Sequence, residues 1–561
     1  MIIPLKNQKN VSILIAAFIG LAVVSCGGAE MDRKDKVAAI VGALQDPFLS
    51  ATLTPQIFID KSGIEDGALP FAYQTITSFL ISENKTGIAN NEQMQIIVEN
   101  STGMVPNAFA FIPLHDQSLF KKLIESELGE STEKNGVSYI RKDKDNYVLA
   151  WKDDLAIVTN IPLSLDNLFS KGTNESKKVA TRLVNLLNGV SKKAINNDFR
   201  AFFDKEGDVL LYANGNSAYE IIEGMRFISN KEKAEYKEML SGTVLESALN
   251  FENGKITLTS DYDIAEGLEA YFNVLKSEGL SDEMLSFGFS PDPIMAVSLN
   301  LSLKDVVKVL NMQRELFEVD DIERDLAKMN FKLSEIDDLL TGEMLVMFDS
   351  LVVTERSYTD YKGVEKKYTN EEPIFGTVVG VKNEKRVAEL IAQSLPEGIE
   401  PGRLGKEYYA IKNNKLFITN SEEWMAAFKT GKTVSINNGD GFLSSGPIGI
   451  QMKSNMADQL ELGLDELESL NGQITNMLAK ATDAGMEMTI QLKDDNINSL
   501  RLIVESLLEE IEKENLRDNS ALESIIDGEL MEQFEEDASE SIKEILNSEE
   551  VKNLQEALEN F

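Results

Sequence analysis

The hydrophobic pattern of this chain occurs twice. In the first half the alternating run "AFAFIPL" (residues 108–114) leads into "HDQSLFKKLIESEL"; in the second, "FGTVVGV" (375–381) leads into "KNEKRVAELIAQSL". Each predicts a strand and then a helix. Phe120, Leu123, Ile124 and Leu128 in one copy and Val387, Leu390, Ile391 and Leu395 in the other share an i, i+3, i+4, i+8 spacing, which places each set on one helix face. The match continues with "GVSYIRK" from Gly136 against "GKEYYAIK" from Gly405, and "LAIVTN" from Leu155 against "LFITN" from Leu416. A helix is then expected over 162–169 in the first copy and over 422–428 in the second.

Weaker matches keep the same order: "MQIIVEN" from Met94 against "EMLVMFDS" from Glu343, and "DVLLYANGN" from Asp208 against "PIGIQMKSN" from Pro447. Late in the first copy, "SALNFENGKITLTSDY" from Ser247 carries Asn253-Gly254 between alternating runs, the strongest short-range hairpin signal. "MEMTIQLKDD" from Met486 reads as its degraded counterpart. Clustered strands joined by short turns and interrupted by amphipathic helices give an α+β fold. The expectation is a tandem duplication of a mainly antiparallel sheet unit, with helices packed on one face.

Composition sets the expected boundaries. Residues 26–55 read as a tether with a possible helix, 56–276 as the first α+β repeat, 277–293 as a linker rich in Ser, Gly and Pro, and 294–505 as the second repeat. Residues 506–561 read as an acidic helical tail, with Leu522, Ile525, Ile526 and Phe534, then Val551, Leu554, Leu558 and Phe561, at helical spacing. Such a tail either packs on the second repeat or docks a basic partner.

Residues 1–25 combine Lys6 and Lys9 with an apolar run from Val11 to Val24, which predicts a secretory signal peptide. The run is about 14 residues, short of the roughly 20 needed to span a bilayer. It ends in "VVSCGG", which contains Cys26, the one cysteine of 561 residues. That ending resembles the lipobox of bacterial lipoproteins, and the resemblance implies a lipid anchor on Cys26 after cleavage before it. Several acyl chains hold a protein stably on a bilayer, where a single chain is marginal. Gly27 after the cysteine resembles signals for outer-membrane sorting, facing either the periplasm or the cell surface. With its cysteine used as an anchor, the chain has none left for a disulfide.

The charge balance changes the picture of partners. Ninety-three acidic against 55 basic residues leave a net charge of −38, which opposes nucleic acid and anionic membrane surfaces and favours partners with basic patches.

Several segments also resemble a family of exported Bacteroidetes lipoproteins known as a domain of unknown function: "FAFIPLHDQSLFKKLI", "GDVLLYANGN", "LNFENGKITLTSDY", "PDPIMAVSLNLSLKDVVKVL" and "KSGI" from Lys61. The resemblance covers roughly residues 56–505. It implies a fold and a lipobox, in agreement with Cys26, and no activity.

Chemistry-bearing motifs are sparse. With one histidine and one cysteine, zinc sites built on those residues are excluded, as are Ser-His-Asp and Cys-His catalysis unless His115 alone serves. His115 falls at a strand-to-helix junction beside Asp116, an expected helix cap, and Lys382 takes its place in the second copy. Ser118-Leu119-Phe120-Lys121, Ser298-Leu299-Asn300 and Lys429-Thr430-Gly431 copy in order the motifs of penicillin-binding proteins and β-lactamases. Ser118 nevertheless reads as the first turn of a packed helix, and Lys429-Thr430-Gly431 as a helix exit. Asp494, Asn496, Asn498 and Glu505 have the spacing of a calcium loop, but its sixth position is Ser499 rather than glycine, so a turn and a helix cap are expected. Trp151 and Trp424 are expected to pack.

No catalytic residue, metal ligand or cofactor site is assigned. The expected function is a membrane-anchored, noncatalytic binding or scaffold lipoprotein of the cell envelope with an envelope protein as partner. The alternative is a hydrolase acting on envelope or imported glycans through two carboxylates about 5–10 Å apart in a cleft.

Overall fold

The computed structural model describes residues 32–506 apart from 45–46, 64–85, 101–105, 144–145, 162–172, 191–193, 225–227, 265–267, 277, 313, 315–317, 360–364, 396–401, 405, 438–440, 454–472 and 483–484. The expected signal peptide, Cys26, the helix expected over 162–169 and the expected tail beyond Ser506 lie outside the described residues.

The first half comprises helix α1 (Arg33–Val41), strand β1 (Pro47–Leu53), α2 (Pro55–Ser62), β2 (Met94–Glu99), β3 (Asn107–Pro113) and α3 (Gln117–Leu128). There follow β4 (Thr132–Lys134), β5 (Val137–Lys142), β6 (Tyr147–Lys152), β7 (Leu155–Asn160), α4 (Thr173–Gly189), α5 (Asn197–Phe203) and β8 (Val209–Asn214). Helices α6 (Gly215–Gly224) and α7 (Asn230–Leu240) precede the hairpin of β9 (Val244–Glu252) and β10 (Lys255–Asp263). The second half has α8 (Glu269–Asn273), α9 (Asp282–Leu285), β11 (Met295–Asn300), α10 (Leu303–Met312), α11 (Val319–Lys328), α12 (Ile336–Leu339), β12 (Leu340–Thr359) and β13 (Glu365–Val381). It continues with α13 (Glu384–Ser394), β14 (Arg403–Leu404), β15 (Glu407–Lys412), β16 (Lys415–Thr419), α14 (Glu422–Thr430), β17 (Ile448–Lys453), β18 (Ile474–Ala481) and β19 (Gly485–Leu492). The fold is α+β.

All these strands form one antiparallel sheet. Its spatial order is β4-β5-β6-β7-β3-β2-β1-β8-β9-β10 in the first half, continuing β19-β18-β17-β11-β12-β13-β16-β15-β14 in the second. Read inward from either edge, the two halves follow the same path: β3, β2, β1, β8, β9, β10 against β13, β12, β11, β17, β18, β19. They meet where the equivalent last strands, β10 and β19, pair antiparallel. An approximate two-fold axis therefore relates the halves.

The topology corrects one sequence match. "GKEYYAIK" forms β15, which pairs with β16, so its counterpart by position is β6 beside β7; "GVSYIRK" forms β5, one strand further out. Similar alternation in neighbouring hairpin strands hid the shift.

Two boundaries also move. Val37 to Val41 are at most 1% exposed in the first core, and β1 lies between β2 and β8 in the sheet, so the first repeat begins near Arg33 rather than at residue 56. The expected linker 277–293 contributes Leu280, Met284 and Leu285 to the second core, where Phe289 stacks on Phe417 with centroids 4.3 Å apart. Gly279 there serves close packing rather than freedom: an added Cβ would lie 2.1 Å from the Ser444 carbonyl oxygen.

Helices pack on both faces of the outer sheet, not on one. In the first half α1, α4 and α5 cover Phe109, Phe111, Val148 and Ile157, while α3 brings Phe120 onto Ile112, Leu149 and Trp151 from the other side. In the second half α14 and α9 take one face and α11, α12 and α13 the other. Strands buried on both faces read as near-continuous apolar runs, as "AFAFIP" in β3 does. The pair β12 and β13 is also longer than any run the sequence suggested. Among the described residues, beyond Phe348 and Phe375 the two strands pair only with each other, as a ribbon whose last pair is Thr359 and Glu365.

The predicted Asn253-Gly254 hairpin forms, with Gly254 at φ +68°. Its N–H donates to the Ile497 carbonyl at 3.0 Å, and an added Cβ would lie 2.5 Å from the Asp495 Cα. Gly254→Ala is expected to destabilise the fold by about 2 kcal/mol, through left-handed strain and the backbone collision. Urea denaturation measures this, and a loss below about 0.5 kcal/mol would show that residues 494–498 yield.

Candidate binding face of the sheet

In an antiparallel sheet, residues directly opposite one another share a face. Following that register through the middle strands gives an unbroken apolar row: Leu53, Val209, Leu249, Leu258, Met488, Ala479, Ile450, Val297 and Val346. On one side of it runs Ala51, Leu211, Ser247, Ser260, Met486, Ala481, Ile448, Leu299 and Met344. The only hydroxyls in that second row belong to Ser247 and Ser260, which bond to each other at 2.8 Å. At a strand spacing of about 4.8 Å, nine strands carry the face over roughly 40 Å.

Most residues of these two rows are half-exposed, and Ser247 and Ser260 are buried, but large aliphatics of this face stand open to water. Leu49 and Leu211 are 43% exposed, Met486 42% and Leu245 40%. On the opposite face, toward the packed cores, Ser50, Thr52 and Gln95 of the first half and Ser298 and Gln451 of the second are at most 3% exposed. The Ser50 hydroxyl and the Gln451 side-chain carbonyl have no hydrogen-bond partner. Fully burying a Leu or Met side chain is worth about 1.5–3 kcal/mol. Leaving a buried polar group unpaired costs about 1–3 kcal/mol. The first half and the seam thus present large aliphatics outward at an energetic cost.

Two helices bound this face. Phe58 of α2 meets Phe251 edge-on at 5.8 Å at one end of the β9–β10 hairpin, and Phe272 of α8 meets Tyr262 at 4.9 Å at the other. Leu211 and Met486 lie level with the stretch between them, and Leu245 pairs directly with Tyr262.

The residues singled out by sequence take structural places. The His115 ring is half-buried with Nδ1 2.9 Å from the Ile88 carbonyl oxygen, and Asp116 caps α3 by accepting from the N–H groups of Ser118 and Leu119. Ser118 lies in the first turn of α3, Ser298 is buried in β11 with its hydroxyl toward the Gly449 carbonyl, and Lys429 lies in the last turn of α14 before left-handed Gly431. The three belong to separate elements, as their contexts predicted. Asp494 accepts from the Asn496 N–H in a tight turn, and Asn498 accepts from the Leu500 N–H at the start of a helix, in place of a calcium loop. Trp151 packs edge-on against Phe120 at 5.6 Å, and Trp424 stacks on Phe289.

Glu99 and Asp208 are the buried carboxylates among the described residues. Glu99 is held by a bidentate pair with Arg182 of α4 and by the Asn107 amide at 2.9 Å. Asp208 accepts from Lys61 and from the Phe251 N–H, each at 2.6 Å. The carboxyls of Glu125, Asp204, Glu232 and Asp325 all lie below their ordinary range, held by Ser131, by Arg200 and then Lys34, by Ser229, and by Lys328 respectively. A general acid of a glycosidase needs the opposite shift. Sequence reasoning missed the apolar face because each strand's alternation says that two sides differ without saying which side meets the helices.

Comparison with family models and with curated proteins finds no match. A solved structure titled "Structure of crystal form I of TP0453" is similar over 42% of this chain and 80% of that one, at 12% identity and a TM-score of 0.23, a likeness that carries no argument.

Arg182→Ala is expected to cost about 3 kcal/mol, the low end for a broken buried pair because the guanidinium is 36% exposed, since it takes the bidentate guanidinium from the buried Glu99 carboxylate. The double variant with Glu99→Gln should recover part of that loss in urea denaturation. Additive losses would refute the coupling.

Proposed function

We propose that this protein is a noncatalytic binding lipoprotein of the bacterial cell envelope, carried on the outer membrane by acylated Cys26, with the apolar sheet face as its binding surface. The exposure of Leu211, Leu245 and Met486 supports this reading, because only an occupant offsets the cost of aliphatic residues facing water. The commitment of Glu99 and Asp208 to structural bonds favours binding over the carboxylate hydrolase. Kinship with the exported Bacteroidetes lipoproteins of unknown function belongs to the same proposal.

Two experiments test it. Cys26→Ala should move the protein from the membrane fraction to the soluble fraction, and retention in the membrane would refute the anchor. In the native host, a photo-crosslinking residue at Leu211 or Met486 should give one defined adduct with an envelope protein, whereas one at exposed Thr259 on the opposite face should give none. Equal labelling at all three positions, or adducts only within the chain, would overturn the reading.

A further inference from the structure

We infer that the occupant of this face is an amphipathic helix of a partner protein, with apolar residues toward the sheet and basic residues on its outer side; this deepens the binding-face reading and rests on it. Backbone chemistry selects a helix. Strands β1, β8, β9, β10, β19, β18, β17 and β11 each pair on both sides, so their main-chain groups are consumed. The hydroxyls of Ser247 and Ser260 bond to each other, and both residues are buried. An extended segment laid on this floor would bring amides with nothing to bond, at a cost of several kcal/mol. A helix brings its backbone already satisfied, and about 25 residues at 1.5 Å each match the roughly 40 Å of the face.

Side-chain chemistry and charge complete the description. Met486, Met488, Met477, Met452 and Met295 lie across the face, and methionine adapts to knobs of different shape more readily than branched aliphatics do. The net charge of −38 draws a basic outer side and opposes an anionic one.

The test uses the full chain carrying Cys26→Ser, so that no attached acyl chain competes. The probes are a 25-residue helical peptide of leucine and lysine with the leucines on one face, its glutamate counterpart, and phosphatidylcholine vesicles. The leucine–lysine peptide should bind at least tenfold more tightly than the glutamate peptide. Leu211→Glu and Met486→Glu should each weaken that binding at least tenfold even though each adds negative charge, while Thr259→Glu should not; Leu245→Glu replaces either if it fails to fold by circular dichroism. Unchanged or tighter binding by the face variants would overturn the inference, because attraction by charge alone predicts that result. Vesicle binding without peptide binding, or a dimer dispersed by Leu211→Glu, would overturn it in favour of lipid or of a second copy. A Leu211 crosslink in cells to a partner lacking a basic amphipathic helix would refute this occupant and leave the binding face standing; no crosslink would refute both.

Discussion

The pairing of β10 with β19 is the contact on which the rest of the molecule depends. It joins equivalent strands of two duplicated halves, from Lys255 opposite Gln491 to Asp261 opposite Gly485, and so turns two sheets into one. Each half alone would end in an edge of unpaired N–H and C=O groups, a template for association with other chains. Pairing like with like removes both edges at once, in the manner of a two-fold subunit interface built within a single chain. It also fixes the side-chain register across the seam. Leu258 lies opposite Met488 and Ser260 opposite Met486, so the apolar rows of the first half run without a break into those of the second. A slip of one residue would turn Thr257 and Thr259 toward the apolar side and split the face in two.

That face is the costly part of the structure. Around the seam the sheet behaves as an ordinary two-sided one, with Glu246, Thr259, Asp261 and Glu487 on the polar side and Lys205 bridging Glu246 and Asp261. Farther out, at β1 and β8 and again at β11 and β17, the polar side becomes the packed side. Ser50, Thr52, Ser298 and Gln451 are buried there because Ile97, Leu210, Tyr212, Leu345 and Met347 of the same face supply the cores. Apolar bulk is therefore present on both sides, and the side that carries the fold buries small polar residues beside its large apolar ones. This division leaves Leu49, Leu211 and Leu245 outward.

Much of this fold was legible in the sequence. The strand-and-helix copies at 108–128 and 375–395, the cap at Asp116, the turn at Asn253-Gly254 and the exit at Gly431 rest on local patterns, and the structure holds each of them. Long-range facts were not legible. Nothing local distinguishes β5 from β6 as the partner of β7, because both are short alternating strands in one meander. Residues 277–293 look like a linker by composition, yet close approach to the Ser444 backbone is what Gly279 provides. The exposed apolar face was hidden for the same reason. Alternation in "VLLYAN" separates Leu211 from Leu210 and Tyr212, and only the placement of α1, α4 and α5 decides which set is covered.

The approximate symmetry of the face does not extend to its exposure, and the difference has a direction. Three of the four outward aliphatics, Leu49, Leu211 and Leu245, belong to the first half, while Met486 sits at the seam, directly opposite Ser260. The remaining apolar residues of these rows are half-exposed in both halves, as Val209, Leu249, Ile450 and Val297 are. The gain from covering apolar area scales with the area still open to water, so the first half and the seam offer the larger gain per contact. An occupant seated there meets leucines on one flank and methionines on the other. A face built by duplication thereby acquires two distinguishable ends, which a symmetric surface would lack and which fix the orientation of whatever binds.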